Sequence, residues 1–170
     1  SLSFRVYDGQ EYSAQAYTLE FIVGGDNDAP TATNDSGAGF ATDEDTAFTT
    51  GSVLANDTDP DTGDVLSVQS IDTTGTLGSV TDNGDGTFGY DPNGQFEHLG
   101  VGETATDSFS YTVADGNGGT DTATVEIEVT GDNDAPTATN DSGAGFSTDE
   151  DSAFTTASVL ANDTDPDTGD

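Results

Sequence analysis

Seven-stranded β-sandwich domains arranged in tandem are the fold class that this 170-residue sequence predicts. Three observations carry the expectation. Apolar residues alternate with Ser, Thr and Glu at a period of two, which marks half-buried strands. Of the 34 acidic residues only eight are Glu, and Asp with 22 Gly favours turns over helices. Finally, a stretch of forty residues occurs twice, 106 residues apart.

The elements follow in chain order. A first strand is expected near Ala29–Thr33, a second from Phe48 to Leu54, and a third around Leu66, Val68 and Ile71. Leu77 and Val80 mark a fourth, and Phe88 and Tyr90 a fifth after the turn Asn83-Gly84-Asp85-Gly86. In 107–114 Phe109, Tyr111 and Val113 alternate with Ser and Thr, and in 123–130 Val125, Ile127 and Val129 alternate with Thr124, Glu126 and Glu128. The Asp-Gly-Asn-Gly-Gly turn at 115–119 joins these two into a hairpin. Turn signals at this spacing suit a sandwich. They also admit a barrel, and they exclude a helical fold.

Residues 25–64 and 131–170 differ only at Ala41/Ser147, Thr46/Ser152 and Gly51/Ala157. A period of 106 residues is longer than the roughly 20–50 of solenoid repeats and is the size of one small domain. The opening residues have a diverged counterpart in 107–130: Leu2, Phe4, Val6, Asp8 and Gly9 fall on Phe109, Tyr111, Val113, Asp115 and Gly116. The expected organisation is therefore the closing strands of one repeat (1–24), a complete repeat (25–130), and the opening part of a third (131–170). Neither partial piece is large enough to bury a core of its own.

A net charge of −33 should repel nucleic acid and anionic membrane surfaces, and it calls for cations or high salt to offset self-repulsion. Hydrophobic content of 31% is low enough to raise disorder, but the apolar residues are patterned and not scattered. Cys is absent, so there is no disulfide framework. No apolar run approaches the roughly 18 residues of a membrane span. No leader pattern is present either, which is uninformative in a chain that opens inside a domain.

The string DNDAP at a repeat boundary is similar to the inter-repeat linker of cadherins, Asp-x-Asn-Asp-Asn-Ala-Pro. The wider pattern, NDAPTATND, DEDTAF, VLANDTDPDTGD, DGTFGYDP and FEHLGVGETATDSFSYTVADGNGGTDTATVEIEV, resembles the bacterial cadherin-like (VCBS-type) repeats of giant RTX adhesins. The resemblance covers essentially the whole chain. It implies a cadherin- or immunoglobulin-like sandwich with calcium as its cofactor. It also implies an extracellular place at the bacterial cell surface after type I secretion.

Calcium takes six to eight hard oxygen ligands at about 2.4 Å, and strand direction sorts the acidic residues toward two ends. The chain enters the repeat at Asp26, Asn27 and Asp28, runs down to Asp43-Glu44-Asp45, and returns to Asp57-Thr58-Asp59-Pro60-Asp61. The resemblance then implies Glu44 as the counterpart of the cadherin Pro-Glu-Asn glutamate, and Asp57 and Asp59 as that of Asp-x-Asp. Glu97 stands where cadherins carry Asp-Arg-Glu, with Glu103 as a rival, and Asp115 where they carry Ala-x-Asp. At the next linker the implied ligands are Asp132, Asn133 and Asp134, facing Asp163 and Asp165. The first linker Asp of cadherins is Gly24 or Thr130 here, which leaves the number of ions per junction open.

Plainer readings stand beside these. Asp57, Asp59 and Asp61 also read as a solvated acidic turn, and Asp115 as a hairpin former. Asp82 and Asp85 read as turn formers, and Asp35, Asp107, Asp121 and Asp141 as surface charge. An EF-hand starting at Asp57 fails, because Gly63 stands at position 7 and Val68 at position 12. His98 is the single His, and without Cys it makes no transition-metal site.

Catalysis finds no support: there is no thiol, no Lys and a single Arg, Arg5. The expected role is a calcium-rigidified extender of a secreted adhesin, its partners being neighbouring repeats of the same chain. A further expectation is head-to-tail contact with another copy, closing strands 1–24 meeting 131–170. Two other roles stay open: a sugar- or peptide-binding domain of the same kind of adhesin, and a halophile's acidic domain that binds no specific ion.

Overall fold

The computed structural model describes residues 1–167. Among them the chain forms β1 (Leu2–Phe4), β2 (Tyr17–Leu19), β3 (Ala41–Asp43), β4 (Phe48–Thr49) and β5 (Ser67–Asp72). These are followed by β6 (Ser79–Asp82), β7 (Phe88–Asp91), β8 (Thr104–Ala114) and β9 (Thr120–Thr130). No α-helix is present among the described residues; two short 3-10 turns lie at Val53–Ala55 and Ala144–Phe146. The fold is all-β.

One sheet has the order β3-β9-β8-β5 and the other β4-β7-β6. The β8–β9 hairpin is the spine. Its register sets Phe109 opposite Val125 and Tyr111 opposite Ala123, while Ser108 faces Glu126 and Thr106 faces Glu128. The first set is buried, as alternation requires, and the second turns outward. Phe88 of β7 meets Phe109 of β8 edge to face, with ring centroids 5.0 Å apart, so the two sheets close on one core.

β3 runs parallel to β9, pairing Asp43 with Thr130. The chain thus descends beside the last strand and reaches the lower end of the sandwich at Glu44, whose N–H donates to Thr130 O at 3.0 Å. It then crosses to the other sheet and returns through β4, antiparallel to β7. This excursion delivers Glu44 to the linker that follows β9.

Several details differ from the sequence expectation. Ala29–Thr33 makes only a bridge, Thr31 to Thr58, and the pairing with the spine comes later, at Asp35 and in β3. The expected strand Phe48–Leu54 stops at Thr49, because the chain curls into a 3-10 turn that buries Val53. Asp35 and Asp107, expected as surface charge, are 4% and 3% exposed. Asp107 is buried because it is satisfied: Tyr90 Oη donates to it at 2.7 Å and Gly78 N at 2.8 Å, which fastens the β5–β6 connection across the sheets. Gly78 is needed there, since a Cβ would sit 2.6 Å from the Tyr90 ring. Burial pushes the Asp35 acid up to about 6.

At the two ends, β1 and β2 pair as a hairpin, and Thr137 bridges Thr164 as Thr31 bridges Thr58. Leu2, Phe4 and Val6 are exposed, unlike their counterparts Phe109, Tyr111 and Val113.

Candidate metal centre

The second linker begins where β9 ends. Gly131 lies against the Leu99 and Gly100 carbonyls so closely that a Cβ would collide with both, so this position requires glycine. The next residue meets Glu44: Asp132 N donates to Glu44 Oε1 at 2.8 Å. Two residues on, Asp134 N donates to Asp167 Oδ2 at 3.0 Å, and Asp167 N donates to Asp165 Oδ1 at 2.9 Å. Backbone donors hold one oxygen of Glu44 and one of Asp167.

The remaining oxygens converge. Glu44, Asp134 and Asp167 each present one carboxylate oxygen, and these lie within 4.8 Å of one another. Glu44 is 2% exposed and Asp167 6% exposed. Glu44 Oε2, Asp134 Oδ2 and Asp167 Oδ1 are buried and meet no donor. Three unpartnered carboxylate oxygens in one spot are unfavourable unless something positive sits between them. The electrostatics agree: Glu44 is pushed above its ordinary acid value first by desolvation and then by the charges of Asp134, Glu97 and Asp167. Asp134 is raised by desolvation, then by Asp167, Asp45 and Asp165, and Glu97 by desolvation, then by Asp134 and Asp45.

Calcium fits this donor set. The oxygens lie within 4.8 Å of one another, close enough for one ion with Ca–O distances of about 2.4 Å to reach all three, the donors are hard, and each of the three side chains keeps a buried oxygen without a partner. Glu44, Asp134 and Asp167 would hold the ion, with Glu97, Asp45 and Asp165 adding charge.

The first linker repeats half of this device. Asp28 N donates to Asp61 Oδ2 at 2.7 Å, and Asp61 N to Asp59 Oδ1 at 2.7 Å. Asp59, Asp61 and Asp64 gather a second acidic cluster, in which Asp59 Oδ2 meets no donor. Asn117 Nδ2 donates to Asp64 at 3.0 Å.

Other residues singled out from the sequence have different surroundings. Both oxygens of Asp115 are occupied: Asn117, Gly118 and Gly119 N–H groups donate to it, as does Asn27 Nδ2 at 2.9 Å. These bonds, Asn27 first, hold its acid below the ordinary value. Asp115 thereby forms the hairpin turn and also ties the first linker to it. Asp57 turns inward, accepting from Thr33 N at 2.8 Å and from the Tyr111 hydroxyl, and Asp163 accepts from Thr139 N at 2.8 Å in the same way. Asn133 Nδ2 donates to Asp134 O, while Asp26 and Asp132 are exposed. Glu103 accepts from Gly100 N at 3.2 Å.

Asp167 was missed because Asp163-Thr164-Asp165-Pro166-Asp167 contains two overlapping Asp-x-Asp frames. The structure places the second frame at the linker, while the first Asp of the matching string in the complete repeat, Asp57, turns to Thr33 N and the Tyr111 hydroxyl. The signal in the sequence is Tyr111, a phenol on an inward position that requires an acceptor, which takes Asp57 and by the repeat leaves the later Asp residues for the linker.

Comparison with known proteins agrees with the all-β fold. A family model described as the bacterial cadherin-like domain matches residues 27–131, and no curated protein matches the chain. That match spans well over half of the 170 residues, so the chain belongs to the bacterial cadherin-like domain family.

Proposed function

We propose that this chain is part of the stalk of a secreted adhesin, whose repeats are stiffened by calcium at their junctions and hold a binding region away from the cell. Domains of the family are typically structural or adhesion modules of extracellular proteins, and they generally bind calcium. The observation that carries the reading is the convergence of Glu44 from one repeat with Asp134 and Asp167 from the next, each with an unpartnered oxygen. Calcium would supply the positive charge that lets these carboxylates coexist. Glu44 is fixed by the fold of 25–130 and Asp167 by the residues after the linker, so closing this site removes the freedom of the intervening peptide. Bacterial surface attachment, RTX context and type I export complete the proposal.

A sugar- or peptide-binding role would call for exposed aromatic residues on the repeat. In 25–130 Phe40, Phe88, Tyr90, Phe96, Phe109 and Tyr111 are all buried, which favours the stalk. The exposed Phe4 and Leu160 need neighbouring strands, supplied in this reading by adjoining repeats or by another copy packed head to tail. Small-angle scattering tests the stalk: calcium should lengthen the particle relative to chelator, and Glu44→Gln should remove most of the difference. Superimposable profiles would sink a stiffening role.

A further inference from the structure

A second group of oxygens crowds the interior of the complete repeat, away from the linker. Asp35 is 4% exposed and its Oδ2 meets no donor. Its carboxyl lies near the Tyr111 hydroxyl, which also meets Asp57. That hydroxyl lies 3.2 and 3.1 Å from the two Asp57 oxygens, 3.2 Å from Val53 O and 3.4 Å from Thr33 O. A phenol has one proton to give, and every one of these separations exceeds the usual O–H···O distance of about 2.7–2.8 Å. The hydroxyl is spread over more acceptors than it can serve.

The other donors do not close the gap. Asn56 reaches toward Asp35, but its amide also serves Thr33 O and Asn34 O at 3.2 Å each. Thr33 N serves Asp57 Oδ1. Two carboxylates therefore lie near one hydroxyl beside two carbonyls, and the chain's one Arg, Arg5, belongs to the β1–β2 segment. Such a set is costly to bury unless a positive charge completes it.

We infer that Asp35 and Asp57, with the Thr33 and Val53 carbonyls and the Tyr111 hydroxyl, form an intradomain site for one calcium-class cation. Two carboxylates, two carbonyls and a phenol are hard oxygen donors of the kind that calcium takes six to eight of, waters included. Unlike the linker cluster, this site draws every ligand from a single repeat, so it does not depend on the stalk reading. The ion would clamp the entry segment (Thr33, Asp35) and the Val53–Asp57 turn onto β8.

Counting bound calcium on the full chain by native mass spectrometry tests the site. Asp35→Asn, which is isosteric and leaves no cavity, is expected to bind one calcium fewer than the unaltered chain. Glu44→Gln should lose a different ion, and the double variant both. An unchanged count in Asp35→Asn overturns the inference and leaves a proton shared between Asp35 and Asp57. Loss only in Glu44→Gln supports the linker site while overturning this one. Should Asp35→Asn fail to fold, the unaltered chain still decides: crystals grown in calcium should show an anomalous peak between Asp35 and Asp57, and its absence overturns the site.

Discussion

The two linkers have the same sequence from Gly25 to Asp35 and from Gly131 to Asp141, yet they have different surroundings. Asp28 is exposed and Asp134 half-buried; Asp61 is half-buried and Asp167 fully buried. The local hydrogen bonds are the same in both, with the linker Asp N–H on the second carboxylate and that residue's N–H on the first. The partners differ: the second linker packs on Glu44, whereas the first is tied to the β8–β9 turn through Asn27 and Asp115, with Asn117 on Asp64. The acidic string alone makes half a site. The other half is a side chain about ninety residues upstream, held there by β3 running beside β9.

The largest expected effect is that of calcium itself. An ion bound only by the folded form adds RT ln(1 + [L]/Kd), which is about 1.4–2.7 kcal/mol at 10 mM for extracellular sites with Kd of roughly 0.1–1 mM. Melting followed by circular dichroism should show a rise in calcium over chelator. Magnesium should not reproduce it, because it gives up its water reluctantly. Equal shifts with both ions would favour the plain acidic-surface reading.

Next comes Glu44→Gln, which takes the upstream charge away from the second junction. In calcium the variant should melt lower than the unaltered chain. In chelator it should melt higher, on the order of 1 kcal/mol more stable, because a buried carboxylate among other carboxylates is replaced by a neutral amide. This inversion of sign between the two conditions is the diagnostic; a loss of stability in both would mean that Glu44 acts only through its bond to Asp132 N.

Proton uptake should mirror that inversion. The folded form raises the acids of Glu44, Glu97 and Asp134, and that of Asp35 to about 6. It therefore binds more protons than the unfolded chain, and these groups stabilise it below their ordinary values and lose that contribution as pH rises through the folded ones. Asp115 and Asp121 are lowered and act oppositely, their stabilisation lost only as pH falls below the ordinary Asp value of 3.8. In chelator, melting temperature should rise from pH 7 to about pH 5 and fall again in stronger acid. In calcium the same acidification should lower it, since protons compete for Glu44 and Asp134. Parallel curves would break the link between these acids and the ion.

How much of this was legible in the sequence follows from which forces are local. The β8–β9 hairpin was readable because alternation and an Asp-Gly-rich turn act within a few residues. Glu44 was readable because strand direction alone brings it to the lower end. The interior places of Asp35 and Asp107 were not, because each depends on donors from distant segments: Tyr90 and Gly78 for Asp107, Tyr111 and Asn56 for Asp35. An Asp reads as surface until its partners are known. The same cause conceals Asp167, whose place beside Glu44 and Asp134 depends on how the linker packs and not on the Asp-x-Asp spacing.

The smallest expected effect sharpens the comparison most, because it sets identical residues against each other. Asp28→Ala and Asp134→Ala remove the same side chain from the same local turn. Each keeps its backbone N–H, so the bonds to Asp61 and Asp167 survive in both variants. Asp28 is exposed and belongs to neither converging acidic cluster, so its loss should shift melting in calcium by no more than an ordinary surface change, about 0.5 kcal/mol. Asp134 contributes one of three converging oxygens, so its loss should visibly reduce the calcium-induced rise while leaving the chelator curve level or slightly higher. Differential scanning calorimetry of the two variants, each with and without calcium, gives the four curves required. Equal calcium responses in both would mean that the linker string binds its ion unaided, and the role assigned to Glu44 would fall with that result.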